Sequence, residues 1–302
     1  MSDTQTGNTI LGLTAAILGG FGLVVLVGAI AARARGASPR SMVRKYLAWF
    51  LITPPILLPL VYSRVLFQVV ILLVSLQCIR EYARVTGLWS DRGVVRLCYA
   101  LTLAMYVPIF AGWYGAHQAG PVLAVALLML VPIVRGRYEH MLQTVSLSIL
   151  AVVYFGWFMS HLAYLPNLRH GVAWAFYLIV LVVCNDALGY LWGTWLGRHK
   201  LIPRISPNKT IEGAALGAAS VLAVGWLVRG LLPAGGTALA LGLAAMIAAL
   251  GTCGDLAVSF IKRDVRVKDT GAAIPGHGGV LDRCDSLMLA APVFFHAVRN
   301  LA

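Results

Sequence analysis

The chain has 302 residues, 60% of them hydrophobic and only 12% charged, with a formal net charge of +13 and a mean hydropathy of +0.83. A soluble domain carries about 25% charged residues, so the composition excludes an ordinary soluble domain and marks an integral membrane protein. The surplus of Lys and Arg sits mostly in short loops between apolar runs, where it orients the chain and meets anionic lipid heads; no nucleic-acid partner is expected.

Apolar runs, several of them near the roughly 20 residues that span a bilayer, fall at 9–31, 47–62, 65–79, 94–115, 120–134, 142–164, 172–196, 211–232, 237–260 and 285–300. No soluble domain can be cut out between them, so residues 1–302 read as one membrane domain. The expected fold class is all-α, a polytopic membrane protein of about nine or ten transmembrane helices. Pro54, Pro55 and Pro59 leave a broken or re-entrant pair open at the second and third runs. The N-terminal MSDTQTGNT has no basic n-region, so the first span reads as retained.

The loops alternate in basic content. Loop 32–46 holds Arg33, Arg35, Arg40, Arg44 and Lys45, and loop 80–93 holds Arg80, Arg84 and Arg92. Arg135 and Arg137 follow, then Arg198, Lys200, Arg204 and Lys209, then the segment 261–284. The intervening loops carry little beyond Arg64, Arg169 and Arg229. By the positive-inside rule the rich loops are cytosolic and the N-terminus is outside. The polar segments 197–213 and 254–285 both fall on the cytosolic side, where nucleotides are. Cys78, Cys98, Cys184, Cys253 and Cys284 form no CxxC pair and read as small buried hydrophobes.

Residues 254–285 concentrate five of the eleven acids of the chain, Asp255, Asp264, Asp269, Asp282 and Asp285, among Lys262, Arg263, Arg266, Lys268, Arg283 and His277. That mixture in an apolar protein suits metal and phosphate. Asp255, at a membrane boundary, needs a partner or a metal; as an interfacial acid it would pair with Lys262, seven residues on and on the same helical face, or with Arg263. Asp282 and Asp285, three apart, share a face if a helix has begun. Facing Asp255, they would suit a hard cation such as Mg²⁺; alternatively Asp282 caps the last helix and Asp285 answers its dipole. In RISPNKTIEG, Ser206 or Thr210 can cap the helix that follows, and Lys209 with them can grip phosphate. No P-loop pattern is present. Asp186, beside Asn185 inside an apolar run, is a functional candidate by its location. Gly189, Gly193 and Gly197 recur every four residues and read as a close-packing helix face. Glu81, between Arg80 and Arg84, reads as part of a solvated ion pair.

Three blocks carry a resemblance to a known family. Ser259-Phe260-Ile261-Lys262-Arg263, Lys268-Asp269, Gly271, Ile274-Pro275, His277-Gly278-Gly279-Val280, Asp282-Arg283 and Asp285 resemble the signature of CDP-diacylglycerol synthases, the phosphatidate cytidylyltransferases. Asp186, Tyr190, Gly193, Gly197, Lys200 and Leu201 resemble the family's intramembrane Asp block. Ser206-Pro207-Asn208-Lys209-Thr210 with Glu212-Gly213 resembles its SP-x-KT-x-EG block. The match is close over about 180–290; residues 1–170, the N-terminal helices, match mainly in hydropathy. Two positions depart from the pattern: Val258 stands where the family usually has Glu, and Cys284 where it has an aliphatic residue or Thr. The first suggests a divergent branch with a changed lipid acceptor.

The resemblance implies a reaction: CTP and phosphatidic acid, or a related lipid phosphate, give CDP-diacylglycerol and pyrophosphate with one or two Mg²⁺ ions. It makes 171–302 the catalytic membrane region. It implies Asp255, Asp282 and Asp285 as metal ligands, with Asp255, Asp282, Lys262 and His277 catalytic. Arg263, Lys268 and Arg283 would clamp phosphates, Ser206, Lys209 and Thr210 would reach the nucleotide or lipid phosphate, and Asp186 would organise the cavity. A bacterial inner membrane, membrane lipids as surroundings and a possible homodimer complete the expectation. A transporter would also want Asp186 and clustered acids, and a non-catalytic lipid- or nucleotide-binding homologue would fit Val258; turnover of CTP separates both from the enzyme.

Overall fold

The apolar runs fold into helices because a backbone in hydrocarbon must satisfy its own N–H and C=O groups, and a helix does so within one segment. The computed structural model describes residues 3–34, 53–232, 236–271, 273 and 278–301. In chain order the elements are α1 (Asp3–Ala34), α2 (Thr53–Tyr62), α3 (Arg64–Val85), α4 (Arg92–Phe110) and α5 (Tyr114–Arg135). Then come α6 (Met141–Leu150), a π-helical stretch (Ala151–Phe158) and α7 (Met159–Tyr164), which run together as one span, Met141–Asn167. The C-terminal half consists of α8 (Gly171–Leu196), β1 (Lys200–Ile202), β2 (Ser206–Thr210), α9 (Ile211–Leu227), α10 (Thr237–Asp264) and α11 (Leu281–Arg299).

Short polar residues set the helix starts. Ser63 accepts from the Leu66 N–H at the head of α3, Asp91 from Val94 at the head of α4, and Thr210 from Gly213 at the head of α9. Each satisfies one of the donors that a first turn leaves open.

Among the described residues six helices are long and apolar enough to cross a membrane: α3, α4, α5, Met141–Asn167, α8 and α10. This is fewer than the nine or ten expected. Thr53–Tyr62 and Ile211–Leu227 are apolar but too short to meet that length, and α11 carries Asp282, Arg283 and Asp285 in its first turns. The structure also adds a small sheet to the expected all-α fold. β1 and β2 pair antiparallel, with Lys200 opposite Thr210 and Ile202 opposite Ser206. The basic residues Arg35, Arg40, Arg44 and Lys45 lie outside the described residues, as does His277.

The core centres on α8. Trp174, Phe176, Tyr177, Leu178 and Leu181 are fully buried, as expected of a helix that is apolar all round. Phe294 and Phe295 of α11 and Tyr82 and Phe155 from α3 and the π-helical stretch fill the same core. Tyr177 lies near Phe294 and donates its hydroxyl to the Ala240 carbonyl at 2.7 Å. The glycine face expected on α8 is real. A Cβ on Gly213 of α9 would stand 2.8 Å from the Gly189 carbonyl oxygen and 2.8 Å from the Gly193 Cα. Small residues at that seam let the two backbones touch. All five cysteines are free, four of them buried.

Candidate functional site

The end of α8, the β1–β2 hairpin, the start of α9, the end of α10 and the start of α11 gather at one end of the bundle. The hairpin is tied down from α9: Glu212 accepts from the backbone N–H of Arg198 at 3.1 Å and of His199 at 3.2 Å. The Glu212 carboxylate also meets the His199 ring at 2.6 Å. This holds Lys209, the last residue but one of β2, over α10. Its ammonium pairs with Asp255 at 2.7 Å. The other Asp255 oxygen accepts from the Ser259 hydroxyl one turn on, at 3.2 Å. Arg263 reaches back to the hairpin and donates to the Ile205 carbonyl at 3.2 Å. The polar segments 197–213 and 254–285 therefore form one site.

The pairing differs from the one expected within α10. Lys262 does not meet Asp255; it crosses to α11 and pairs with Asp282 at 2.8 Å. Both partners are deeply set, with side-chain exposures of 12% for Lys262 and 4% for Asp282. The other Asp282 oxygen accepts from the Thr270 N–H at 2.9 Å, the Thr270 hydroxyl at 3.0 Å and the Gly279 N–H at 3.0 Å. The N-cap position of α11 is Val280, not Asp282. Asp282 is instead the acceptor around which both ends of the loop turn.

Asp285, one turn along α11, is buried and one oxygen accepts from the Ser286 N–H at 2.9 Å. The Ser286 hydroxyl donates to Asp186 of α8 at 2.9 Å. Asp186 and Asp255 both lie close enough to bear electrostatically on Asp285. The approach of α10 to α11 depends on Gly254, where a Cβ would stand 2.6 Å from the Asp285 carbonyl oxygen. Ser206 is half-buried in β2, whereas Lys268 and Arg283 are exposed at the rim. Val258, where the resembled family has Glu, is fully buried in the apolar core.

Glu81 departs from its expected role. It is 2% exposed, and its carboxylate accepts from Gln77, Thr270, Val280 and Leu281, not from the flanking arginines. The N-terminal half thus contributes a polar group to the loop of the C-terminal half. Its one legible signal was a Glu just inside the end of an apolar run; the arginines on either side argued for solvent.

The donor set can be weighed against a metal. The buried acids offer only oxygen, the chemistry of hard cations. Among the described residues no three His, Cys, Asp or Glu side chains converge as a ligand cage. Mg²⁺ is commonly held by one or two carboxylates plus substrate phosphates, and the oxygen donors of Asp255, Asp282 and Asp285 are of that kind.

Residues 43–301 match the Cytidylyltransferase family. The chain belongs to that family. It is 40% identical over 174 residues to the uncharacterized protein YnbB of Escherichia coli (strain K12), covering 54% of this chain and 57% of that relative. It is 37% identical over 172 residues to the phosphatidate cytidylyltransferase of Bacillus subtilis (strain 168), covering 56% of this chain and 64% of that protein. The phosphatidate cytidylyltransferase of Staphylococcus aureus (strain COL) is 30% identical over 215 residues, 70% of this chain and 79% of that one. With the first two relatives, then, this cytidylyltransferase-family chain aligns over less than two thirds of their length.

Proposed function

We propose that the protein transfers the cytidylyl group of CTP to phosphatidic acid, releasing pyrophosphate and forming CDP-diacylglycerol. The observation that carries this reading is the Lys209–Asp255 pair. It joins the two polar blocks that resemble the synthase signature, beside a second lysine–carboxylate pair and at one end of an apolar bundle. A lipid phosphate reaches such a place from the bilayer and CTP from the cytosol. On this reading the site faces the cytosol, the N-terminus is outside, and the apolar helices make nine or ten passes of a bacterial inner membrane.

The chemistry is an in-line displacement. An oxygen of the lipid phosphate forms a bond to the α-phosphorus of CTP, the bond from that phosphorus to the β-phosphate bridging oxygen breaks, and pyrophosphate leaves with the electron pair. A phosphate monoester is largely dianionic at neutral pH, so no strong base is required. Positioning and charge neutralisation do the work. Lys209 and Lys262, each already set against a carboxylate, would add substrate phosphate as a further partner. Arg263, Lys268 and Arg283 would hold the outgoing phosphates at the rim. Ser206 and Thr210 would orient the nucleotide, His277 would supply a hydrogen bond or a proton late in the reaction, and Asp186 would brace α11 through Ser286. Mg²⁺ would be held by Asp255, Asp282 and Asp285. When bound it would neutralise charge on the transferred and leaving phosphates.

The test is pyrophosphate release by purified protein in detergent, given CTP, Mg²⁺ and phosphatidic acid, with Asp255→Asn as control. Release that needs all three and is lost in the variant is the expected result. No release from monodisperse protein with phosphatidic acid overturns that acceptor; no release with any lipid phosphate overturns cytidylyl transfer.

A further inference from the structure

Glu81 lies on α3, far from the signature blocks in sequence, yet it is the buried carboxylate that joins both ends of the active-site loop. Oε1 accepts from the Gln77 amide at 2.8 Å and the Val280 N–H at 3.0 Å. Oε2 accepts from the Leu281 N–H at 2.9 Å and the Thr270 hydroxyl at 3.2 Å. None of these donors is a cation. A carboxylate this deeply buried persists only if hydrogen bonds and dipoles replace its water, and the open N–H groups and positive end of α11 provide them. The helix has no side-chain cap of its own at Val280, so α3 supplies one across 200 positions of sequence.

The neighbouring residues are shaped around this contact. A Cβ on Gly279 would stand 2.2 Å from Glu81 Oε2 and 2.5 Å from Thr270 Oγ1. Only glycine leaves the carboxylate its path to the helix start. Thr270 has a single hydroxyl hydrogen and stands between two carboxylates, Glu81 at 3.2 Å and Asp282 at 3.0 Å. Asp282 in turn holds Lys262 at 2.8 Å. A continuous chain of contacts therefore runs from α3 through Thr270 to the Asp282–Lys262 pair.

We propose that Glu81 is a positioning residue: it fastens Thr270 and the start of α11 to α3 and so fixes where Asp282 presents Lys262 to the transferring phosphate. The role in turnover rests on the cytidylyl-transfer reading; the fastening itself does not. Loss of the fastening loosens Lys262 in the transition state more than it weakens ground-state capture of CTP, so kcat falls more than KM rises.

The test compares wild type with Glu81→Gln, nearly isosteric but neutral, in detergent, by amide hydrogen exchange and by steady-state pyrophosphate release. Exchange over 278–286 is expected to accelerate about tenfold or more, with the other helices unchanged. kcat is expected to fall about ten- to a hundredfold, while the KM for CTP stays within about threefold. Gly279→Ala should reproduce this signature, and adding Glu81→Asp to it should restore part of kcat, because the shorter acid leaves room for the methyl group. The Gly279→Ala pair also decides the matter if Glu81→Gln does not fold. Wild-type exchange in the variants overturns the fastening. Faster exchange with wild-type kcat overturns the positioning role. If wild type itself releases no pyrophosphate, cytidylyl transfer is what fails, and the exchange data still decide the fastening.

Discussion

Removing either member of the Lys262–Asp282 pair should have unequal consequences, because the two residues are not equally supported. Asp282 accepts from Lys262, from the Thr270 N–H and hydroxyl, and from the Gly279 N–H. With Lys262→Met the carboxylate keeps three donors and the favourable end of α11. With Asp282→Asn the ammonium keeps no partner at hydrogen-bond distance among the described residues and faces an amide that can offer it N–H groups. Breaking a fully buried pair from one side costs about 3–5 kcal/mol. Lys262 retains 12% side-chain exposure and has Asp285 near enough to interact, so about 3 kcal/mol is expected for Asp282→Asn. Loss of one charge-assisted hydrogen bond sets Lys262→Met at about 1.5 kcal/mol. A chain of this size shifts by about 2 °C per kcal/mol, which gives melting temperatures lowered by about 6 °C and about 3 °C. The assay is thermal unfolding of both purified proteins in one detergent at neutral pH, followed by tryptophan fluorescence. A Lys262→Met loss equal to or larger than that of Asp282→Asn would refute the claim that the loop donors, more than the lysine, hold this carboxylate.

Gly213→Ala sets two effects of opposite sign against each other. Alanine favours a helix by about 1 kcal/mol over glycine, but here the methyl group meets two backbone atoms of α8 and Thr210 Oγ1 at 2.8–2.9 Å. Overpacking of that kind costs about 1–3 kcal/mol, so a lower melting temperature is expected, and an unchanged or higher one counts against the glycine seam. The Arg135 guanidinium, hydrogen-bonded to Asp91, holds that carboxyl below its ordinary value, against the opposing effect of burial. A depressed carboxylate stabilises the fold fully above its unfolded-state pKa, and the contribution disappears as pH falls through the lower folded value. Arg135→Met should therefore reduce stability at neutral pH and flatten its dependence below about pH 4; a pH series of melting curves checks it. Both groups are partly exposed, so the effect is small, below about 1 kcal/mol.

The helices were legible because each apolar run has to hydrogen-bond to itself, and the start of α9 was legible because Ser206 or Thr210 offered a cap, a place Thr210 takes. The Gly189, Gly193 and Gly197 spacing likewise pointed to the seam it makes with α9. Partner choice at the site was not legible. Asp255 and Lys262 share a helical face, so spacing suggested one pair within α10, whereas the fold brings Lys209 to the first and Asp282 to the second. Only the placement of β2 and α11 against α10 decides that exchange. The sheet was missed because its strands have three and five residues and no apolar alternation. Glu81 was misread because its setting is created by residues some 200 positions later; locally it is an acid between two arginines.

That separation has a consequence for how the protein is made. Ribosomes add about 5–20 residues per second, so α3 is complete roughly 10–40 s before the α11 amides that accompany Glu81 exist. During that interval, of its four eventual donors, only Gln77 is present, one turn earlier on the same helix. An acid at the edge of a newly inserted helix with a single amide for company lacks most of the hydrogen bonds its later burial demands. A late helix therefore gives an early one its permanent electrostatic setting, and the contact between α3 and α11 must await the synthesis of α11.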